Sequence, residues 1–257
     1  MIEPIRHIYQ YRELIWALAL KELKIRYKRS FLGFLWALLN PLLQMVVLSL
    51  VFSTVLRIPI PHFAVFLISV LMPWTFFSQS LSYAADSIVN NSDLIKKVRV
   101  PKIVFPVAAL TSNMVNLLLS LIPMLIIVIV LRNPVYITWF YLPVPLVALT
   151  LVTLGLSLML ATLNVYYRDV SHILQIVLQI WFYVTPIIYP IEAFGKYQWL
   201  FKLNPVLFAL NGFRMAVYKG ALPSAQSIAA SFVCGIIALT IGYAMFRRNQ
   251  DEFVYYV

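Results

Sequence analysis

Long apolar runs alternate with short polar breaks along nearly the whole chain, and their lengths predict helices that cross a membrane. A hydrocarbon core of about 30 Å takes roughly 20 apolar residues in helical form. The runs at 32–56, 63–82, 104–131, 139–163 and 227–246 are predicted to cross, together with a shorter fifth in chain order at 173–188. Pro41, Pro73 and Pro123 fall inside these runs, where neighbouring helices tolerate a kink. The proline-bearing links 57–62 and 132–138 read as tight turns on one side.

The pattern fails between Tyr166 and Arg214. A polar break, Tyr166-Tyr167-Arg168-Asp169, leads into the short run at 173–188, which stops at Tyr189-Pro190. Half-apolar pieces follow around Trp199 and Val206, split by Asn204-Pro205. Neither piece is long enough to cross. Irregular backbone at membrane depth survives only where protein covers it or where it borders a water-filled path. Residues 189–225 are therefore predicted to be an outer gate region, with pieces 192–203 and 206–218 dipping into the membrane as short re-entrant helices. Tyr189, Pro190, Asn204, Pro205 and Arg214 are its candidate residues.

Residues 11–29 carry too many charges to cross. At 100° per residue, Trp16, Leu20, Leu23 and Tyr27 form one stripe with Lys21, Lys24 and Lys28 beside it, and Glu22, Arg26 and Arg29 group on the far side. This predicts a helix lying in the cytoplasmic interface within segment 1–31, its basic side chains toward lipid phosphates. A solvated helix packed on a partner is the alternative. The fold expected is thus all-α integral membrane: six transmembrane helices in one domain over 1–257, with an amphipathic interfacial helix before them.

Composition agrees, with 62% hydrophobic and 11% charged residues. The formal net charge of +11 points to topology rather than to nucleic acid. Lys and Arg crowd the stretch before the first run, the link holding Lys96, Lys97, Arg99 and Lys102, and the positions Arg168, Arg247 and Arg248. They outnumber those on the other side (Arg57, Arg132, Lys196, Lys202, Arg214 and Lys219) by more than two to one. Both termini are predicted to be cytoplasmic. No cleavable leader pattern is expected, because Glu3, Arg6, Arg12 and Glu13 interrupt the N-terminus. Cys234, the single cysteine, sits within an apolar run and reads as packing.

Several chemistries are excluded by their missing parts. The Gly195-Lys196 pair runs into Tyr197 and lacks the earlier glycine of a phosphate-binding loop. His7, His62 and His172 have no ligand spacing, so no metal is expected. Asp86, Asp93 and Asp169 lie near the cytoplasmic edge, and no carboxylate sits deep in a run to couple protons. No catalytic site is expected in this chain, and the driving energy must come from a partner.

Two ordered sets of residues carry a resemblance. Arg26-Tyr27-Lys28-Arg29-Ser30-Phe31-Leu32-Gly33-Phe34-Leu35-Trp36 with Asn40-Pro41-Leu42 resembles the start of ABC-2-type permeases of polysaccharide exporters. Tyr167-Arg168-Asp169-Val170, Thr185-Pro186-Ile187-Ile188-Tyr189-Pro190, Asn204-Pro205 and Phe213-Arg214 are similar to the rest of that pattern, in order. The likeness is nearest to the O-antigen-export members, with capsule and teichoic-acid permeases as relatives. It implies two copies of this chain, two copies of a cytoplasmic ATPase that binds ATP and Mg, and a lipid-linked glycan as cargo among membrane lipids. It also implies a coupling helix at 93–101, where Asp93, Lys96, Lys97 and Arg99 are the candidate contacts.

Arg168 and Asp169 are expected at the cytoplasmic entrance, paired or jointly holding a lipid phosphate. Trp36, Trp74, Phe77, Tyr83, Trp181 and Tyr183 are candidates for stacking on sugar rings along a conduit lined by runs one, two and five. Aromatic belts at membrane interfaces have the same composition. An exporter of teichoic acid, drug or small lipid, and a membrane-embedded glycosyltransferase, stay open as alternatives.

Overall fold

The computed structural model describes residues 9–28, 30–33, 35–55, 60–98, 100–201 and 203–257, and every regular element among them is helical. In chain order these are α1 (Arg12–Tyr27), α2 (Leu35–Ser49), α3 (Phe63–Ser87), α4 (Ser92–Lys97), α5 (Val104–Val130), α6 (Pro143–Tyr166), α7 (Val170–Val184), α8 (Gln198–Phe201), α9 (Leu207–Arg214), α10 (Ala225–Asn249) and α11 (Phe253–Tyr256). Helices α2 and α9 run on into π-helical turns, Leu50–Val55 and Met215–Lys219. Tight 3₁₀ turns at Ile137–Tyr141 and Ile191–Tyr197 precede α6 and α8.

Helices α3, α5, α6 with its leading turn, and α10 are long and apolar enough to cross a membrane. The first and fifth runs instead give shorter apolar helices, Leu38–Ser53 and Val170–Val184. Helix α7 is about 22 Å long at 1.5 Å per residue. It ends earlier than the sequence reading placed it because Pro186 forces the residue before it out of helical geometry, and Thr185 is extended at ψ 134°. Helix α3 overruns its expected end at Ser82 because Tyr83-Ala84-Ala85-Asp86-Ser87 holds nothing that breaks a helix.

Helix α3 is the hub, packed against α2, α5, α6 and α9. Two of its hydroxyls are satisfied in apolar surroundings by bonding back along the helix, Ser69 to the Phe66 carbonyl and Thr75 to the Leu71 carbonyl, each at 2.8 Å, while Ser80 Oγ is buried without a partner. Helices α6 and α10 touch backbone to backbone. A methyl group on Gly242 would collide with the Gly155 carbonyl, and one on Gly155 with the Ala238 backbone. Small residues at this spacing let two membrane helices approach closely.

Helix α1 does not lie free of the bundle. Ile15, Leu18, Ala19 and Leu23 are buried, and the helix packs along α5. Trp16, Leu20 and Ile25 remain exposed. Glu22 and Arg26, placed by the helical wheel on the side away from the Trp16–Leu20–Leu23 stripe, turn toward α5, where Ser112 and Asn113 are their partners. Arg29 lies outside the described residues. Gly33, at φ 51°, supplies the left-handed turn between α1 and α2.

Candidate functional site

A polar cavity of about 300 Å³ lies between α1, α2, α3 and α5. Arg26 sits at one end, its Nη1 donating to Asn113 Oδ1 at 3.0 Å and its guanidinium carbon 3.8 Å from the centre of the Tyr83 ring. Trp36, Gln79, Asn116 and Ser120 line the rest. Two of the expected path residues, Trp36 and Tyr83, thus meet around one cavity and are both partly exposed. Beside it, Glu22 accepts from Ser112 Oγ at 3.0 Å. Burial pushes its carboxyl above the usual range, and the Ser112 bond and the charges of Arg26 and Lys21 oppose that only in part.

Helix α4 is anchored by buried Ile95 and leaves Asp93, Lys96 and Lys97 exposed. Arg99 lies outside the described residues. The surface under this link is built by the last residues of the chain. Phe253 is fully buried against Phe246, with ring centres 5.3 Å apart. Lys102 Nζ donates to the Gln250 carbonyl at 2.6 Å, and Tyr166 to Glu252 at 3.0 Å. Arg168 donates to the Tyr256 carbonyl at 2.9 Å. It forms no ion pair with Asp169, so of the two expected arrangements, a direct pair or a shared lipid phosphate, the direct pair is not formed. The Asp169 backbone carbonyl starts α7, accepting from the His172 and Ile173 amides.

Helix α7 packs on α3 and α6, burying Leu174 and Leu178, and leaves most of its other side chains exposed. His172, Gln175, Gln179 and Tyr183 are exposed and fall on one stripe at 100° per residue. Trp74, Phe77 and Trp181 instead come together as one aromatic cluster between α3 and α7, with Phe77 and Trp181 rings 5.2 Å apart in edge contact. Phe77 has no accessible surface and Trp74 only 5%, so both pack the two helices together in this conformation.

Near the start of α3 the bundle is stitched by Asn204 and Arg214. Asn204 Oδ1 accepts from the Trp181 indole at 3.2 Å and from the Val206 amide at 3.1 Å, while its Nδ2 donates to Thr185 Oγ1 at 2.9 Å. Pro205 follows in the turn that leads to α9. Arg214 is 6% exposed and donates to the Pro186 and Ile187 carbonyls at 2.7 and 2.8 Å, with its guanidinium carbon 4.0 Å from the Phe66 ring centre. The carbonyls freed where α7 breaks are therefore bonded by an arginine from α9. Tyr189 donates to the Tyr183 carbonyl at 2.6 Å, next to half-buried Pro190. Lys219 lies 3.8 Å from Glu192 on the surface.

A family model described as ABC-2 type transporter matches residues 13–218, from α1 through the stitching around Asn204 and Arg214. The chain belongs to that family. The O-antigen export system permease protein RfbA of Myxococcus xanthus is 36% identical to this ABC-2 type transporter over 98% of each chain. A protein of the same name from Klebsiella pneumoniae is 30% identical over 94% of this chain and 93% of its own. The polysialic acid transport protein KpsM of Escherichia coli is 24% identical over 91% of this chain and 93% of its own.

Some residues that build the transporter's site were not singled out from sequence. Ser112, Asn113, Asn116 and Ser120 interrupt an apolar run and share one face of α5, a signal visible in the spacing. Gln175 and Gln179 on α7 are the same kind of signal. Phe253, an aromatic after the last apolar run, gave none. Among the described residues no group of three or more His, Cys, Asp or Glu side chains comes together.

Proposed function

We propose that this chain is the membrane subunit of an ATP-driven exporter that moves a lipid-linked polysaccharide from the cytoplasmic side across a bacterial inner membrane. The observation that carries this reading is helix α7. It belongs to a chain similar end to end to O-antigen export permeases, yet it leaves a stripe of His172, Gln175, Gln179 and Tyr183 uncovered by its own subunit. A polar stripe on an apolar helix is costly against lipid and suits a water-filled path. Two copies facing each other would enclose such a path between the α7 helices, with α2 and α3 completing the wall.

In this reading α2 and α7 cross as the first and fifth of six spans, and both termini are cytoplasmic. Residues 1–257 act as one membrane domain in which α1 lies along the interface. Tyr189, Pro190, Asn204, Pro205 and Arg214 hold the outer gate shut at rest. Trp36, Tyr83 and Tyr183 border the cargo's route, while Trp74, Phe77 and Trp181 stiffen the wall behind it. Arg168 and Asp169 stand at the entrance. Two copies of a separate ATPase carry ATP and Mg and push on α4, where Asp93, Lys96, Lys97 and Arg99 meet them.

The test is co-purification from mild detergent. A nucleotide-binding ATPase should come down with the tagged chain, and Lys96→Glu with Lys97→Glu should release it while leaving membrane insertion unchanged. Cells carrying that double variant should lose surface glycan and accumulate lipid-linked glycan inside. Full assembly and export in the double variant would sink the coupling assignment.

A further inference from the structure

A chain's last residues stay loosely ordered unless something ties them down, and α11 is tied on two sides. On one side is the link that carries α4. Beyond the adjoining turn Val89–Asn91, α11 is the main partner of α4 among the described residues. Ile95 of α4 and Phe253 of α11 are buried in one apolar cluster, and Lys102 Nζ donates to the Gln250 carbonyl at 2.6 Å. On the other side is the elbow at 167–169 between α6 and α7. Tyr166 meets Phe253 and Tyr256 edge-on, with ring centres 6.4 and 4.8 Å apart, and its hydroxyl donates to Glu252 at 3.0 Å. Arg168 Nη2 donates to the Tyr256 carbonyl at 2.9 Å. Buried Asn164 fixes the start of α7 to α3. Its Nδ2 donates to the Ala85 carbonyl at 3.1 Å and to Asp86 Oδ1 at 3.0 Å, and its Oδ1 accepts from the Ser171 amide at 3.3 Å.

We infer that α11 is a strut that carries displacement of α4 to the base of α7, with Phe253, Glu252 and Arg168 as positioning residues and Asn164 as the pivot. Close-packed interiors pass on a shift rather than absorb it, so a moving Ile95 presses on Phe253. The bonds from Tyr166 and Arg168 make the elbow follow α11. Asn164 meanwhile holds the Ser171 amide to the end of α3, so α7 answers by tilting rather than by sliding away. Only Leu174 and Leu178 are buried along it, which leaves the helix free to tilt. On a helix about 22 Å long a tilt of roughly 10° moves the far end by about 4 Å. That end holds Trp181 and Thr185, the partners of Asn204. The inference deepens the exporter reading, on which it rests for what moves α4, by naming the parts that carry the movement to the cargo's route.

The full chain is tested with its co-purified ATPase in lipid nanodiscs, carrying Cys234→Ala and a reporter cysteine from Gln175→Cys on α7. A water-soluble maleimide reads that position with and without ATP. ATP should change the labelling rate roughly fivefold in the otherwise unsubstituted complex, under about twofold with Phe253→Ala, and by an intermediate factor with Glu252→Ala. ATPase recovery should be the same in all three. Tyr255→Ala, on a residue of the same helix that is 85% exposed, should keep the full response. Glu252 is exposed, so Glu252→Ala decides the matter should Phe253→Ala fail to fold. A merely structural α11 would lower the unfolding temperature and leave the ATP response intact, and that result overturns the strut. So does release of the ATPase by Phe253→Ala, which would make α11 part of the seat, or loss of the response in Tyr255→Ala. An unsubstituted complex with bound ATPase but no ATP response overturns the strut alone. A chain that recovers no ATPase overturns the exporter reading and the strut with it.

Discussion

Arg26 and Arg214 are set in the bundle in nearly the same way and finish differently. Each holds its guanidinium against an aromatic ring, Tyr83 in one case and Phe66 in the other. Arg214 uses its two terminal nitrogens on the Pro186 and Ile187 carbonyls and leaves only Nε unbonded. Arg26 bonds through one terminal nitrogen and leaves Nε and Nη2 buried without a partner. What separates the two is whether the chain itself supplies acceptors for the paired donors: a broken helix does so at Arg214, and an intact α5 does not at Arg26.

The widest gap between the two should appear in stability. Arg214→Leu orphans two buried carbonyls, each costing about 1–3 kcal/mol, and should destabilise the fold by about 2–5 kcal/mol. Arg214→Lys, able to reach one carbonyl, should fall between. Arg26→Gln removes a partly exposed side chain with one neutral acceptor and should lower stability by about 1 kcal/mol or less. Thermal unfolding of the purified variants in one detergent measures all three. Equal losses at the two arginines would erase the distinction drawn here.

Asn204 supplies a second test on the stitched side. Asn204→Ala strips partners from the Trp181 indole, the Thr185 hydroxyl and the Val206 amide, a loss of about 1–3 kcal/mol for a half-buried hub. It should also loosen the outer cap without touching the Arg26 cavity. Single cysteines at 199–213, introduced after Cys234 is replaced by Ala, should label slowly at rest. Labelling should quicken during ATP turnover or when Asn204→Ala is present. Rapid labelling at rest in the otherwise unsubstituted chain would make this an ordinary outer loop.

The two regions were not equally legible in the sequence. The stitching around Asn204 shows there because Pro186, Pro190 and Pro205 fall close together in a polar stretch and end the helical pattern, unlike the isolated Pro41, Pro73 and Pro123 that helices accommodate, and Arg214 could be named from the same stretch. The crossing helices were legible for a similar reason, since run length alone constrains them. The Arg26 cavity was not. A helical wheel gives the angle of Arg26 on α1 but not what lies at that angle, and Ser112 and Asn113 come close only once α1 packs on α5. The same limit hid the burial of Phe77, whose neighbour Trp181 is far away in the chain.

The smallest effect tests whether Arg26 is as unpaired as its geometry implies. Glu22 is its nearest acidic neighbour on α1, and burial raises the Glu22 carboxyl above the ordinary carboxylate range. The folded chain thus keeps this proton to a higher pH than the unfolded chain does. Its stabilising contribution is complete below the unfolded value and is lost as pH rises through the folded one, so stability falls with pH across that interval. Glu22→Gln stays neutral and still offers an oxygen to Ser112. It should abolish that part of the pH dependence and leave the protein at least as stable as the unsubstituted chain at pH 8, read by thermal unfolding between pH 4 and pH 8. A clear loss of stability at pH 8 would mean that Arg26 relies on the Glu22 charge. Its unbonded nitrogens would then already have their anion, and the contrast with Arg214 would collapse.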